Sequence, residues 1–522
     1  MNITEFLTIS AAIVPDRPGM VFEDRSTTFE QLQTRVNKLA NSLADLGVGA
    51  EDRVAFLHVN TDHYIEALFA TSKLDAVFVP LNFRARGEEL SYMINDSTPK
   101  VLFVGPRYVD MVKSFADGIE SVKHVIVMEG EPQDFLAYDN VVTEASDDER
   151  FPESADDDLA VIMFTAGTTG FPKGVMLSHE SFSSYILSNV TPADPDIEER
   201  NILTVPLYHI AGMQAVVSAV YAGRTLIIQR QFDALGWMKL VEQHQVDRAM
   251  MVPTMLKLLM DHEEFHTHDL SSLQVITYGA APMPLEVIKR AIQELPNAHF
   301  INAFGQTETA ATITMLPPED HDLTGTPEEI ERKLKRLSSI GKPLVDVDVQ
   351  IVDEDGEQLA VGETGEIVAS GARLMKGYWH MEAATAEAIR GGWLYTGDLG
   401  YMDPDGYIFL SGRAKDFIKR GGEMISPEEV EQVLQSHPAI DEAAIIGIPD
   451  LDWGERVRAI VVAKRGQTVE EAEVIEYCRQ HLASYKKPES VVLTDELPRN
   501  PLGKVLKRVL REQFDAPIGA AD

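Results

Sequence analysis

A segment rich in glycine and threonine is the most informative chemical feature of the sequence. The apolar run 159–164 leads into residues 165–174, which read TAGTTGFPKG. Glycines let backbone N–H groups approach an anion closely, threonine hydroxyls donate further hydrogen bonds, and a lysine adds positive charge. The segment therefore predicts a loop that binds a polyphosphate, with Lys173 as its cationic side chain.

The Walker A loop is the main alternative for such a segment. It requires a glycine directly before its lysine and a hydroxyl residue directly after it, because that hydroxyl binds magnesium. Here Pro172 precedes Lys173 and Gly174 follows it. The pattern fails at two functional positions, so we reject a Walker A nucleotide site.

The loop closely resembles the phosphate-binding loop of the adenylate-forming superfamily, which includes acyl- and aryl-CoA synthetases, peptide-synthetase adenylation domains and beetle luciferases. Six further segments resemble the other motifs of that superfamily and follow in its order. They are PLYHIAG at 206–212, YGAAP at 278–282, FGQTET at 304–309, YTGDL at 395–399, GRAKD at 412–416 and PRNPLGK at 498–504. Because seven matches occur in order over nearly the whole chain, we expect a member of this superfamily.

The resemblance implies an AMP-forming acid–thiol ligase. Such an enzyme joins a carboxylic acid to the α-phosphate of ATP and then passes the acyl group to coenzyme A, with Mg²⁺ as the metal. Overall similarity favours a medium- or long-chain fatty acid. Aryl acids such as cinnamates or benzoates, an acceptor other than coenzyme A, and a catalytically silent binding protein of the same fold remain alternatives.

Each motif then assigns residues to a role by resemblance. ATP and AMP would be bound by Thr165, Ala166, Gly167, Thr168, Thr169, Gly170, Lys173, Gly279, Ala280, Ala281, Asn302, Ala303, Phe304, Thr307, Asp398, Arg413 and Lys504. Glu308 and Thr168 would hold Mg²⁺, a hard cation that prefers oxygen ligands. The catalytic residues would be Lys504, Glu308, Thr307, Lys173 and His209, the last as a gate to the acyl site.

The second half-reaction involves the C-terminal part of the chain. By resemblance, this part rotates about Lys415 and presents a different face to the site. Coenzyme A would then meet Lys419, Arg420, Gly421 and Gly422, where paired glycines leave room for a thin pantetheine arm.

Two departures from the superfamily pattern affect the nucleotide site. Ala166 stands where serine is usual, which removes one hydroxyl from the phosphate loop, and we expect this to cost little activity. Asn302 and Ala303 replace a commoner Gln-Gly pair near the adenine and acyl pockets. The second departure weakens any assignment of the acid by analogy.

The segments around these motifs show two kinds of hydrophobic pattern. In the first 260 residues, apolar runs such as 54–59 and 76–80 alternate with helical stretches such as 64–74, which predicts parallel sheets covered by helices. Thr28 and Gln31 form a capping box that starts an earlier helix, ended by Gly47. Period-two alternation at 345–351 and a DPDG turn at 403–406 predict a mostly antiparallel β module. Later segments predict helices at 427–435 and 469–482 and strands at 443–448 and 457–463.

Together with the resemblance, these patterns give the expected fold class, α/β and β. A large N-terminal domain, residues 1–412, would contain two α/β subdomains and a β-barrel-like module. A small, mobile α+β domain, residues 413–522, would follow a hinge at about 413–416. The charge distribution also changes there, since residues 413–522 carry 20 acidic and 16 basic side chains of a chain whose net charge is −37.

Composition excludes several classes of partner. A net charge of −37 argues against nucleic acid, because binding DNA or RNA requires clustered lysine and arginine. No apolar run reaches the roughly 18 residues that a membrane span needs. The single Cys478 is typical of a reducing compartment, so we expect a cytoplasmic protein and interpret Cys478 as a packing residue. Peripheral membrane contact and a homodimer remain open.

Residues 262–266 read HEEFH and match the zinc-protease pattern HExxH. The match follows a predicted helix that ends near Asp261, and no clear distal third ligand accompanies it. We therefore interpret it as a chance match and expect no zinc there.

Overall fold

The computed structural model describes residues 1–85, 87–130, 132–165, 172–413, 416–420, 423–450, 453–500 and 503–515. The α-helices within these ranges are α1 Thr4–Ile13, α2 Phe29–Asp45, α3 Asp62–Ser72, α4 Gly87–Ser97, α5 Val109–Ser114, α6 Tyr138–Thr143, α7 His179–Asn189, α8 Ile210–Tyr221, α9 Ala234–His244, α10 Pro253–Met260, α11 Leu285–Glu294, α12 Pro327–Arg336, α13 Glu382–Ala388, α14 Pro427–Gln435, α15 Glu471–His481 and α16 Lys507–Phe514.

The β-strands build four sheets. In chain order they are β1 Pro18–Phe22, β2 Arg25–Thr28, β3 Arg53–Leu57, β4 Val77–Pro80, β5 Val101–Val104, β6 His124–Val127, β7 Leu136–Ala137, β8 Leu159–Thr165, β9 Lys173–Ser178, β10 Arg200–Leu203, β11 Thr225–Ile228, β12 Arg248–Met251, β13 Val275–Gly279, β14 His299–Gln306, β15 Ala311–Leu316, β16 Lys342–Pro343, β17 Asp348–Val352, β18 Gly365–Ser370, β19 Gly377–Tyr378, β20 Ile389–Arg390, β21 Trp393–Met402, β22 Ile408–Arg413, β23 Ile418–Arg420, β24 Glu423–Ile425, β25 Ile440–Asp450, β26 Gly454–Ala463 and β27 Ser490–Leu493.

Two large, mostly parallel sheets form the first part of the molecule. One has the order β16-β15-β14-β13-β12-β10-β11-β1-β2, and the other β19-β9-β8-β4-β3-β5-β6-β7. Strands β3, β4 and β5 are almost fully buried, as expected where helices cover both faces of a parallel sheet. The predicted α/β architecture of this part is confirmed.

The third sheet is antiparallel and has the order β17-β18-β21-β20, with β22 paired to β21. The predicted hairpin is present: β21 and β22 pair, and the Asp403 N–H donates to the Tyr407 carbonyl at 2.8 Å. The period-two pattern at 345–351 predicts a strand that begins earlier than the observed one. Strand β17 begins at Asp348, because β18 supplies partners only from that residue, and Val345 is 88% exposed.

The fourth sheet lies in the C-terminal part, with the order β24-β23-β26-β25 and β27 paired to β26. Helix α14 covers the bounds predicted for it, because Ser426 caps its N-terminus and Pro427 occupies the first helical position. Cys478 is buried among apolar side chains of this part, and burial raises its pKa to about 12. An inert packing role for Cys478 agrees with both observations.

The predicted capping box is also present at the start of α2. The Thr28 hydroxyl accepts from the Gln31 N–H, and the Gln31 side chain accepts from the Thr28 N–H. In the part of the chain that the structure describes, every helix is too short or too polar to cross a bilayer.

Candidate functional site

An antiparallel strand pair holds the two ends of the predicted phosphate loop. Thr165, the last residue of β8, lies opposite Lys173, the first residue of β9. The predicted loop residues Ala166, Gly167, Thr168, Thr169 and Gly170 lie outside the described residues. The strand pair therefore fixes both ends of the loop within the sheet that contains β3, β4 and β5.

One tyrosine contacts both the Lys173 side chain and the predicted metal-binding motif. The Nζ of Lys173 lies 4.6 Å from the ring centroid of Tyr378. The hydroxyl of that tyrosine donates to Oε1 of Glu308 at 3.0 Å. Two motifs that are 135 positions apart in sequence are thus joined through one aromatic ring.

Glu308 lies on a single 3₁₀ turn, Thr307–Thr309, directly after β14. The turn is fixed at its start, because the Thr309 hydroxyl accepts from the Gln306 N–H at 2.9 Å. Thr307 and Glu308 are half-buried, so both side chains remain accessible to a ligand. Glu308, a predicted magnesium ligand, and Thr307, a predicted nucleotide-binding residue, therefore lie on one turn.

A glutamine connects this turn to the predicted ribose motif. Nε2 of Gln306 donates to Oδ2 of Asp398 at 2.7 Å. The other carboxylate oxygen of Asp398 forms an ion pair with Nε of Arg413 at 2.6 Å, and the two residues are register partners on β21 and β22. Since Asp398 is buried and Arg413 half-buried, the pair is shielded from bulk water.

The predicted adenine segments lie on the neighbouring strands β13 and β14. Gly279 pairs with Ala303, and a Cβ at Gly279 would overlap the Ala303 carbonyl oxygen. Ala280 follows with φ of +66°, a left-handed conformation that turns the chain out of the sheet. Asn302 donates to the Ser339 carbonyl at 3.2 Å. Ala281, which follows this turn, and Phe304 on β14 are half-buried.

His209 lies at the start of α8, one residue outside the helix. Burial, with a smaller effect of Arg84, lowers its pKa to about 3, so the imidazole is neutral at physiological pH. Its Nε2 and the Tyr208 hydroxyl are buried and accept or donate no hydrogen bond among the described residues. Nearby Met213 and Val216 are fully buried in the main core.

The segment that carries Lys504 packs against the large N-terminal part. A Cβ at Gly503 would overlap the Thr254 side chain on α10, so the two segments are in close contact. One turn along α10, Lys257 forms an ion pair with Asp441 at 3.0 Å. Lys504 itself is exposed, and its N–H donates to Oδ1 of Asn500 at 2.8 Å.

Two cationic side chains of the predicted coenzyme A face lie within the described residues, and only one of them forms an ion pair there. Lys419 is exposed. Arg420 pairs with Glu489 at 2.7 Å and lies over the Trp453 ring, 4.7 Å from its centroid. Lys415, Gly421 and Gly422, which we predicted as the hinge and the pantetheine passage, lie outside the described residues.

Sequence reasoning missed Tyr378 and gave no role to Gln306. Gln306 was inside a quoted motif, so its position in the site was available from the sequence. Tyr378 is 70 positions from Glu308 and belongs to no motif singled out above. Its contact depends on the pairing of β19 with β9, and spacing does not predict such a pairing.

Glu308 fits a magnesium site of the kind that shares its ion with a nucleotide. Mg²⁺ is commonly bound by one or two carboxylates together with substrate phosphates. Glu308 offers one half-buried carboxylate, and one of its oxygens is already oriented by Tyr378. Among the described residues, no group of three or more His, Cys, Asp or Glu side chains could hold a metal by itself.

The HEEFH segment does not lie on an α-helix, which a zinc site of the HExxH type requires. Helix α10 ends at Met260, and the His262 ring accepts from the Glu264 N–H at 3.2 Å. His268 instead contacts Glu242 at 2.8 Å. These contacts agree with the interpretation of a chance match.

Two family models match the chain. The AMP-binding enzyme model covers residues 7–379, and the AMP-binding enzyme C-terminal domain model covers residues 429–504. The chain belongs to the AMP-binding enzyme family. This confirms the resemblance to adenylate-forming enzymes and, at the level of enzyme class, the predicted AMP-forming acid–thiol ligase.

Curated members of this family match over nearly their full length. An indoleacetate–CoA ligase of Aromatoleum aromaticum is 32% identical over 98% of this chain and 98% of that enzyme. A feruloyl-CoA synthase of Amycolatopsis is 37% identical over 93% and 94%. A long-chain-fatty-acid–CoA ligase of Mycobacterium tuberculosis is 35% identical over 95% and 94%. These three enzymes are named for three different acids, so family membership does not select one.

Solved structures of family members show the same fold. A fatty acyl CoA synthetase of Mycobacterium tuberculosis has a TM-score of 0.77 and 33% identity, covering 98% of each chain. ATP-bound MatB of Rhodopseudomonas palustris has a TM-score of 0.87 and 29% identity, covering 99% of each chain. The predicted fold class is therefore confirmed by these neighbours.

Proposed function

We propose that this enzyme activates a carboxylic acid with ATP and transfers the acyl group to coenzyme A, with a medium- or long-chain fatty acid as the acid. A carboxylate oxygen attacks the α-phosphorus, the bond from that phosphorus to the bridging oxygen breaks, and pyrophosphate leaves. The thiol sulfur of coenzyme A then attacks the acyl carbonyl carbon, AMP leaves, and the thiol proton passes to solvent. The single cysteine supports a reducing, cytoplasmic location for this reaction.

One observation supports this proposal most strongly. Contacts connect the end of the phosphate loop to the ribose motif in an unbroken series, from Lys173 through Tyr378 and the Glu308 turn to Gln306 and Asp398. An anion must approach a polyanion in the first step, so positioned charges are what the chemistry needs. The series provides a cation at one end, a carboxylate in the middle and a carboxylate–arginine pair at the other.

Each residue then has a role in the proposed reaction. Lys173 and Thr165, with loop residues 167–169, would bind the β- and γ-phosphates. Glu308, with Thr168, would hold Mg²⁺, which when bound neutralises phosphate charge. Thr307 would contact the α-phosphate, and Asp398 would accept hydrogen bonds from the ribose hydroxyls.

Lys504 and Arg420 would serve different steps. In the first, Lys504 would neutralise charge between the carboxylate and the α-phosphate. The closeness of Gly503 to Thr254 supports this role, because it puts the Lys504 segment against the N-terminal part. In the second, Arg420 would exchange its ion pair with Glu489 for a phosphate of coenzyme A.

An aryl acid is the second candidate substrate. The buried Tyr208 hydroxyl and His209 Nε2 lack partners among the described residues, and an alkyl chain would leave them so. A ring that carries a hydroxyl or an amine could satisfy them, since buried polar groups are usually hydrogen-bonded. The relatives named for ferulate and indoleacetate are consistent with this candidate.

Acid-dependent exchange of labelled pyrophosphate into ATP tests the first step, and a panel of fatty, aryl and short acids tests the substrate. We expect exchange with at least one fatty acid and formation of its CoA thioester when coenzyme A is added. Preference for hydroxycinnamates over all fatty acids would favour the second candidate. Absence of exchange with every acid would contradict the proposed function.

A further inference from the structure

Strand β19 brings a late segment of the chain to the strand that carries Lys173. Tyr378 lies opposite Val175, and the Trp379 N–H donates to the Gly174 carbonyl at 2.7 Å. These contacts fix the backbone of Tyr378 beside the strand that begins with Lys173. The Tyr378 ring lies against the Lys173 ammonium, 4.6 Å from ring centroid to Nζ.

The same segment also holds Glu308 at two points. The Met375 N–H donates to the Glu308 carbonyl at 2.9 Å, and the Tyr378 hydroxyl donates to its carboxylate at 3.0 Å. The segment therefore holds the Glu308 turn through its backbone and the Glu308 carboxylate through the phenol.

Lys173 lies over the half-buried Tyr378 ring, and the oppositely charged Glu308 lies at the hydroxyl of the same ring. In such surroundings an ammonium and a carboxylate attract each other strongly, and a direct pair would neutralise both. The ring face offers the ammonium a cation–π contact, and the hydroxyl satisfies one carboxylate oxygen. The other carboxylate oxygen accepts no hydrogen bond from the described residues.

We propose that Tyr378 is a positioning residue that separates Lys173 from Glu308, keeping the lysine available for the phosphates of ATP and the carboxylate available for Mg²⁺. This inference rests on the proposed function, because it assigns the two charged groups to Mg²⁺-ATP. In this proposal Tyr378 acts only through Lys173 and Glu308. Its effect is on the geometry of the two groups that do the binding.

Two substitutions separate the two contacts of the ring. Tyr378→Phe keeps the aromatic face beside Lys173 and removes the donor to Glu308. Tyr378→Leu removes both and lets the lysine reach the carboxylate. The readout is calorimetric binding of the α,β-methylene analogue of ATP to the full-length protein, measured in EDTA and in excess Mg²⁺, with the melting temperature of each variant.

For Tyr378→Phe we expect analogue binding in EDTA to match wild type, and the gain in affinity on adding Mg²⁺ to fall about tenfold, as for loss of a hydrogen bond to a charged group. For Tyr378→Leu we expect weaker binding in EDTA as well, because Lys173 pairs with Glu308. If Tyr378 had only a structural role, its variants would have a lower melting temperature, and binding of the analogue would weaken equally in EDTA and in excess Mg²⁺.

Tyr407 offers a matched control. Its hydroxyl donates to the Asp320 carboxylate at 2.7 Å, and Lys342 lies 4.5 Å from its ring centroid. None of these partners belongs to the candidate site. Tyr407→Phe should therefore leave analogue binding unchanged in both conditions.

The outcomes separate the two proposals. If the wild-type protein does not bind the analogue, both the proposed function and this inference are wrong. A wild-type protein that binds it with a Mg²⁺-dependent gain, together with Tyr378 variants that show the same gain, would overturn the inference alone.

Discussion

At the residue scale, the charged side chains of the candidate site have different partners. Asp398 is paired with Arg413 at 2.6 Å, whereas Lys173 rests on an aromatic ring rather than on a carboxylate. Lys504 is exposed on a segment that touches the N-terminal part through Gly503. The contribution of Lys504 should therefore depend on which step the enzyme performs.

Lys504→Ala should lower the rate of acid-dependent pyrophosphate exchange by about 10²- to 10³-fold, the usual effect of removing one group that stabilises transition-state charge. Thioester formation from supplied acyl-AMP should remain near the wild-type rate, because in the proposed mechanism Lys504 serves only the first step. Both rates are measured on the same preparation. Lys464→Ala, another exposed lysine of the C-terminal part, is the control. Equal loss in both reactions would contradict the assignment.

At the element scale, local signals predicted the elements that are defined locally. Helix α14 has its cap and its N1 proline in the sequence, and the β21–β22 hairpin has its DPDG turn. The start of β17 differs from the prediction. Alternation shows which residues share a face of a strand, but it does not show where the neighbouring strand stops supplying hydrogen-bond partners. The turn that carries Glu308 was found as a motif, whereas its contact with Tyr378 needed the register of β19 on β9.

Strands β14 and β15 approach so closely beside this turn that a glycine is required. A Cβ at Gly305 would overlap the Ala311 carbonyl oxygen at an irregularity in the pairing. Gly305→Ala should lower the free energy of unfolding by about 1–3 kcal/mol, as overpacking does. Chemical denaturation measures this. Gly118→Ala, where a Cβ would meet nothing within 4 Å, is the control, and an equal small effect at both positions would contradict the packing account.

Helix α7 begins with a histidine that fastens the N-terminal segment. The Ile3 N–H donates to Nδ1 of His179 at 3.3 Å, and burial lowers the pKa of His179 to about 4. Because the unfolded histidine has a pKa of about 6.5, the unfolded state binds more protons between these values. The contribution of His179 to stability is complete above about pH 6.5 and is lost as the pH falls through about 4.

His179→Gln should therefore show a smaller fall in melting temperature between pH 7 and pH 4.5 than wild type, even if its melting temperature at pH 7 is lower. Calorimetric melts across this range measure the difference. Exposed His299→Gln serves as the control and should melt with the wild-type pH dependence. Identical pH dependence in His179→Gln and wild type would rule out the assigned titration.

At the scale of the whole molecule, the order of the motifs can be read from the sequence, whereas the place where they meet depends on the fold. The net charge of −37 argues against nucleic acid as a partner and predicts that cations such as Lys173 and Arg413 are concentrated locally. The division at residue 412, the hinge and the rotation between two poses remain predictions. Contacts between the two parts, such as Lys257 with Asp441, would have to break if the C-terminal part rotates.

Lys415→Pro tests the hinge, because proline fixes φ near −65° and restricts rotation about that residue. We expect single-turnover formation of acyl-AMP at close to the wild-type rate and a loss of thioester output. Quenched-flow analysis of both products separates the two steps. Unaltered thioester output would mean that the hinge does not lie at Lys415.

The central claim is that the chain forms an acyl-adenylate and passes the acyl group to coenzyme A. Product analysis with ATP, coenzyme A and the acid that best supports exchange tests it most directly. We predict one AMP, one pyrophosphate and one CoA thioester for each ATP consumed, with none formed when the acid is left out. Formation of ADP and phosphate, or ATP turnover that does not depend on the acid, would contradict the account.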